Sequence, residues 1–276
     1  MSIRRATSRR RLRCHGLFYA RGLASGERQL CRSQLVLEFC DTKPNNRTLL
    51  VYLMNPGAGV PVATAHIPIV THACQIPQMA VWLPTIPDAT QAQIVLLMEA
   101  LDCGRAIVVN LTDVCEPDSS ALGPRVTALV NNTPRWDSLF HAPRHAELNN
   151  LLAAGPYVAM IGGWGALGST QECLRDAASE VCARFPGIIG APAKSSYRNL
   201  GFRHPRPTAA GGPKRRYYGS WRKDVASLLN LSQESVAALG AEHTIDLLVD
   251  KNRIWTIDGN NSLNIDLSCA SRPEGT

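Results

Sequence analysis

"RTLLVYLMNPGAG", Arg47 to Gly59, decides how the chain is read. Its first half is a short apolar run suited to a buried strand, and its second half cannot continue one. Pro56 has no amide hydrogen to give a sheet, and Gly57 and Gly59 accept backbone angles that other residues avoid. The strand therefore ends in a turn, Asn55-Pro56-Gly57-Ala58-Gly59, where main chain can come close to a ligand.

Working outward, strand and helix patterns alternate. "ATQAQIVLLMEALDCG" reads as a helix ending at Gly104, and "RAIVVNLTD" as the next buried strand. "RHAELNNLLAAG" is a helix, "PYVAMIGGWGALG" a strand and turn, and "STQECLRDAASEVCARF" a helix capped by Ser169 or Thr170. "PGIIGAPAK" makes a short fourth strand, and "RKDVASLLNLSQESVAAL" is helical. The pattern predicts a three-layer α/β/α fold around a central four-stranded parallel sheet. Before it, "GLFYARGL" and "QLCRSQLVLEFC" predict an N-terminal hairpin. After it, "TIDLLVDKNRIWTIDGNNSLNIDLS" predicts a C-terminal β-meander over 241–276, packed on the same domain of residues 14–240. The Pro-rich stretch Val60–Pro87 is long for a connection and reads as an insertion or lid.

The chain has 276 residues and a net charge of +7, unevenly spread. Residues 1–13 carry six Arg and no acid, which predicts a basic, flexible, phosphate-seeking arm. From Val181 to Lys223 there are ten Lys or Arg and no Asp or Glu. Nine scattered Cys without paired spacing predict reduced thiols, a cytoplasmic setting, and no metal or other cofactor. No apolar run approaches the ~20 residues that span a bilayer, so no membrane association is expected, and no obligate protein partner.

In an open parallel sheet ligands bind beyond the carboxyl ends of the strands. Four such ends carry distinctive residues: Asn55-Pro56-Gly57, Asn110-Leu111-Thr112, Gly163-Trp164-Gly165 and Gly201-Phe202-Arg203-His204-Pro205-Arg206-Pro207. In this order they resemble the uracil-DNA glycosylase superfamily, in the branch that attacks mismatched or modified bases, and related uncharacterised bacterial proteins. The resemblance spans roughly Arg47 to Trp221, and Arg206 departs from it by standing where the family's His-Pro motif has Ser. It implies a monofunctional DNA glycosylase with Asn55 and His204 catalytic, and Pro56, Gly57, Ala58, Asn110 and Trp164 around the base. It also implies a DNA partner, met by Arg203, Arg206, Lys214, Arg215, Arg216 and Tyr217, with Ala209–Arg216 as the loop entering the duplex.

The chemistry fits these residue types. His204 can donate to a leaving pyrimidine, Asn55 can orient water, and the Asn110 amide offers donor and acceptor to one base edge. Asp88 and Asp113 are nearby carboxylates with structural or chemical roles open. In the uracil-specific relatives a Tyr bars C5 substituents at the place of Gly57. The opening here predicts a C5-substituted pyrimidine as substrate and a role in defence against phages with modified bases. The alternatives are a nucleic-acid-binding protein of the same fold without catalysis, and a hydrolase of small nucleosides.

Overall fold

The computed structural model of the chain describes residues 11–40, 47–62, 66–130, 135–193, 200–205, 221, 223–231, 245–250, 253–257 and 263–266. Two long strands, β1 (Arg11–Gly22) and β2 (Arg28–Phe39), form the expected hairpin. Next comes β3 (Thr48–Leu53), the apolar run of the opening quotation. Its side chains alternate between two cores: Leu49, Val51 and Leu53 on one face, Leu50 and Tyr52 on the other. A strand covered on both faces needs apolar residues at every position, which is why no polar alternation appears in it.

β3 pairs in parallel with β5 (Arg105–Asn110) on one side and β6 (Tyr157–Gly162) on the other. The parallel part is narrower than four strands. The fourth segment adds only a bridge, Ile189 beside Ile161, closed by Gly162 N–H to Ile189 O and Ile189 N–H to Met160 O, both 2.8 Å. The sheet is mixed, because β2 lies antiparallel on the far side of β5. The hairpin is thus built into the sheet and is no appendage.

The Val60–Pro87 stretch contributes β4 (Val81–Pro84), antiparallel to β1, after a short α1 (Ile76–Met79). The tail strands β7 (Ile245–Asp250), β8 (Arg253–Ile257) and β9 (Leu263–Asp266) form a meander, with β7 parallel to the start of β1. The full order is β6-β3-β5-β2-β1-β7-β8-β9, with β4 on β1. Because β1 starts at Arg11, residues 11–13 belong to the sheet, while residues 1–10 of the expected arm lie outside the described residues.

Helices cover both faces of this mixed α/β fold. α2 (Ala89–Ala100) packs on the Leu49–Val51–Leu53 face, where every residue from Thr90 to Met98 is buried, together with Trp221 and Val225. Asp88 starts it by accepting from the Thr90 and Gln91 amides at 2.6 and 3.3 Å. The opposite face carries α3 (Ser119–Val130), α4 (His145–Ala153) and α5 (Arg175–Arg184). Among the described residues no helix is long and apolar enough to cross a membrane, and the eight described cysteines are free thiols.

His141, ahead of α4, is partly buried; neither ring nitrogen is hydrogen-bonded among the described residues, and Nδ1 lies 3.4 Å from Asp137 Oδ1. Burial lowers its pKa from 6.5 to about 4, against the opposing pull of Asp137. Below pH 6.5 the unfolded chain takes up a proton here that the folded chain does not, so acid favours unfolding. Relative to His141→Gln, the wild type should lose up to about 3 kcal/mol of stability as pH falls from 6.5 to 4, at 1.36 kcal/mol per unit of pKa shift. Urea unfolding of the two proteins across that range reads the difference, and a difference independent of pH would contradict a neutral His141.

Candidate functional site

The chain leaves β3 for β5 through α2 on one face, then returns from β5 to β6 through α3 and α4 on the other. Strands on either side of β3 are therefore reached over opposite faces, and the reversal opens a crevice at the carboxyl end of β3. Asn55 to Gly59 stand there.

Asn55 is half-buried and directional. Its side-chain amide donates to the Val114 and Glu116 carbonyls at 3.3 and 2.6 Å, and its Oδ1 accepts no hydrogen bond among the described residues. Pro56 is buried, while Ala58 is exposed. Gly57 has φ +62°, where an L side chain is strained, and a Cβ placed on it would lie 3.5 Å from Asp88 Oδ2. Asp88 thus spends Oδ1 on the cap of α2 and turns Oδ2 towards the turn.

Beneath the turn lies Arg32, fully buried on β2 and absent from the sequence-based expectations. Its Nη1 donates to Gly59 O at 3.0 Å and its Nη2 to Pro56 O at 3.4 Å. Its Nε has no partner, and no carboxylate forms a salt bridge with it among the described residues. A bulge aims it. The β1–β2 register steps from Leu17–Gln34 to Phe18–Arg32, leaving Ser33 unpaired. Ser33 Oγ then meets Arg144 on one face, while Arg32 reaches the turn on the other. Two glycines make room: a Cβ on Gly59 would sit 2.2 Å from Arg32 Nη1, and one on Gly16 2.8 Å from Arg32 Cδ. The polar run Arg32-Ser33-Gln34 inside an apolar strand was the signal available in the sequence.

Asn110 ends β5 opposite Leu53, on the face shared by Ala106, Val108 and α2. It is 0% exposed, and among the described residues neither Nδ2 nor Oδ1 has a hydrogen-bond partner. A buried amide left in this way costs about 1–3 kcal/mol for each unsatisfied group. Beyond it, Leu111 N–H donates to Leu53 O and Thr112 N–H to Met54 O, carrying the pairing to the foot of Asn55.

The loop after Asn110 is anchored on the far face. Thr112 Oγ1 donates to Asp137 Oδ2 at 2.9 Å, and Asp113 pairs with Arg144 and accepts from the Tyr19 hydroxyl at 2.8 Å. Burial pushes the Asp113 carboxyl up to about 6, with Arg144 pulling it back. Asp113 is thus a structural anchor for the carbonyls that hold Asn55.

His204 arrives through a stack of small residues. Phe202 fills the space that side chains at Gly162 and Gly190 would need, with Cβ positions 2.4 and 2.6 Å from its ring. Gly165, at φ +85°, donates its N–H to Phe202 O, and a Cβ there would lie 3.8 Å from His204 Cβ and 3.5 Å from Met54 Cε. Pro205 rests against Gly163 and Leu53 in the same way. His204 and the tip of the Met54 side chain thus both border the space beside Gly165.

Two expected contacts are engaged by the protein itself. Trp164 is fully buried, donates its indole N–H to Leu200 O at 2.6 Å and meets Phe202 edge-on at 4.9 Å, so it holds the His204 segment and offers no face to a ligand. Arg203, partly exposed, pairs with Asp224 and donates its backbone N–H to Ala191 O, which fixes the segment. Arg206, Lys214, Arg215, Arg216 and Tyr217 lie outside the described residues, as does the 209–216 loop. Among the described residues no cluster of His, Cys, Asp or Glu is arranged to hold a metal ion.

Comparison with family models, with curated proteins and with solved structures found no match to this chain.

The grip of Arg32 on the turn sets an expectation for a double-mutant cycle. Arg32→Met removes two charged-group hydrogen bonds of roughly 1.5–3 kcal/mol each, and Gly59→Ala forces a clash costing about 1–3 kcal/mol. The double variant should lose less than the sum, because Met has no Nη1 for the new methyl to strike. Chemical unfolding measures all four proteins, and strict additivity would mean that Gly59 is not kept small by Arg32.

Proposed function

We propose that the chain is a DNA glycosylase that extrudes a pyrimidine, probed for substituents at C5, and hydrolyses its N-glycosidic bond to leave an abasic site. The observation that supports this reading best is Asn110: a buried amide with donor and acceptor both unmet among the described residues, on the strand position opposite Leu53, two residues before Asn55. A base edge drawn into the crevice at the carboxyl end of β3 supplies the complementary pair, and the cost of the unmet groups becomes selectivity.

The other groups take roles around it. His204, which borders Gly165, donates to the pyrimidine oxygen as negative charge gathers on the leaving base. Asn55 orients a water through Oδ1, since its nitrogen is committed to the 114 and 116 carbonyls. Asp88 Oδ2, across Gly57, is a carboxylate that can take that water's proton as it adds to the sugar carbon. The guanidinium of Arg32 lies under the turn and adds positive potential where the base anion forms. The run without acids from Val181 to Lys223 supplies charge for phosphates on either side.

The test is incubation with oligonucleotides and phage genomic DNA carrying different C5 modifications, followed by alkali to reveal abasic sites. His204→Ala should lower excision about 10²–10³-fold, the range for removing one preorganised donor. Asn55→Ala should lower it strongly while DNA binding stays within a few-fold. Asp88→Asn should keep the helix cap, because Asn caps as well as Asp, and still reduce excision. Wild-type excision by His204→Ala or Asn55→Ala would remove that residue from the mechanism.

Pocket size at C5 is best probed at exposed Ala58, since the φ of +62° at Gly57 strains any side chain there. Ala58→Tyr should block a bulky C5-substituted base before it blocks uracil, at unchanged thermal stability. A wild type that prefers plain uracil to every C5-substituted base would end the open-pocket argument.

A further inference from the structure

A second concavity lies on the same edge of the sheet, beyond the hairpin. β1 runs parallel to β5 through their shared neighbour β2, so its carboxyl end, Arg21 and Gly22, faces the same side as Asn110. There the hairpin turn, the 69–71 segment and α3 enclose a groove of about 970 Å³. That volume suits a small organic ligand. Its walls are fixed: Ala20 donates its N–H to Pro68 O and accepts from Val70 N–H, at 2.9 and 2.8 Å, and α3 packs through Leu122 and Val126 into the core.

Arg21 lines this groove and is only 6% exposed. Its guanidinium carbon sits 3.7 Å over the Trp136 ring, and its Nη2 donates to Leu129 O at 3.1 Å. Its Nη1 has no hydrogen-bond partner, and no carboxylate forms a salt bridge with Arg21 among the described residues. A cation buried in this way calls for an anion. The lining beside it is apolar, from Leu23, Ile69 and Leu129, and the acid on the rim, Glu27, is exposed to solvent and its screening.

The groove also touches the candidate site. Arg125 of α3, on its wall, pairs with Glu116 Oε2 at 3.3 Å, and the Glu116 carbonyl is the closer of the two acceptors that hold Asn55.

We propose that the groove holds a nucleotide flanking the extruded one, with its phosphate on Arg21 Nη1 and its sugar and base against Ile69 and Leu129. The inference rests on the nucleic-acid reading above. The probe is tetrathymidylate, titrated into the full chain by calorimetry. Arg21→Gln removes the cation, and Ala128→Trp fills the groove from an exposed position on α3 without altering the bonds of Arg21. Each variant should bind tetrathymidylate at least about tenfold more weakly than the wild type, the loss expected for a charged-group hydrogen bond or its occluded pocket. Absence of binding by the wild type, or equal binding by Ala128→Trp, overturns the proposal. Excision measured in parallel separates the two ideas. Groove-dependent binding without excision of any base defeats the glycosylase reading alone, and excision with groove-independent binding defeats the groove alone.

Discussion

A buried guanidinium without a carboxylate is the constraint from which the site is built. Burying an ion costs several kcal/mol even after relaxation. At Arg32 that cost is offset by two main-chain carbonyls, and those carbonyls belong to the turn that ends β3. The arrangement dictates residues around it. Gly59 must lack a side chain to let Nη1 approach, Gly16 must lack one to let the stem pass, and Ser33 must bulge to point the stem the right way. Main-chain shape at 56–59 is therefore set from below by a charge, and Asn55 and Gly57 inherit their positions from it.

A second line of support reaches the same turn from the opposite face of the sheet. Tyr19, Arg144, Asp113, Thr112 and Asp137 share hydrogen bonds and ion pairs in the interior, and the loop they hold presents the Val114 and Glu116 carbonyls to Asn55. Preorganisation of this kind is what a polar site needs, because dipoles fixed before the ligand arrives need no reorganisation afterwards. The unmet amide of Asn110 gains its meaning from the same rigidity: the packed surroundings give it no neighbouring partner to turn to.

Much of this was legible in the chain, for identifiable reasons. β3, β5 and β6 announce themselves as apolar runs ended by turn residues, and α2, α4 and α5 by helical spacing; the cap expected at Ser169 or Thr170 is not made, because 169–174 forms a tighter 3-10 turn and α5 starts only at Arg175. Helix α3 did not, because Gly123 and Pro124 sit in its middle and read as a break, although the packing of Leu122 and Val126 overrides them. β4 hid in a Pro-rich stretch for the same reason. The hairpin was legible, yet its place between β5 and β7 was not, since periodicity tells which face a residue takes and not which strand lies beside it. At the site, Asn110 ends β5 opposite Leu53 and Asn55 follows the end of β3, the strand ends at which the rule expects them. Trp164 and Arg203 were read as ligand contacts because residue type suggests chemistry; in the fold Trp164 is buried and bonded to Leu200 O, and Arg203 is paired with Asp224. Arg32 and the double duty of Asp88 depend on tertiary neighbours that no local pattern encodes.

The ring of Phe202, lying where Gly162 and Gly190 have no side chains, has a consequence for descent. No one of the three positions is free to drift alone. A methyl at either glycine meets the ring, and a smaller residue at 202 leaves a void beside Trp164. Related chains should therefore keep all three or exchange them together, with small residues and ring traded across the two strands as one inherited unit. The His two residues beyond the ring would travel with it.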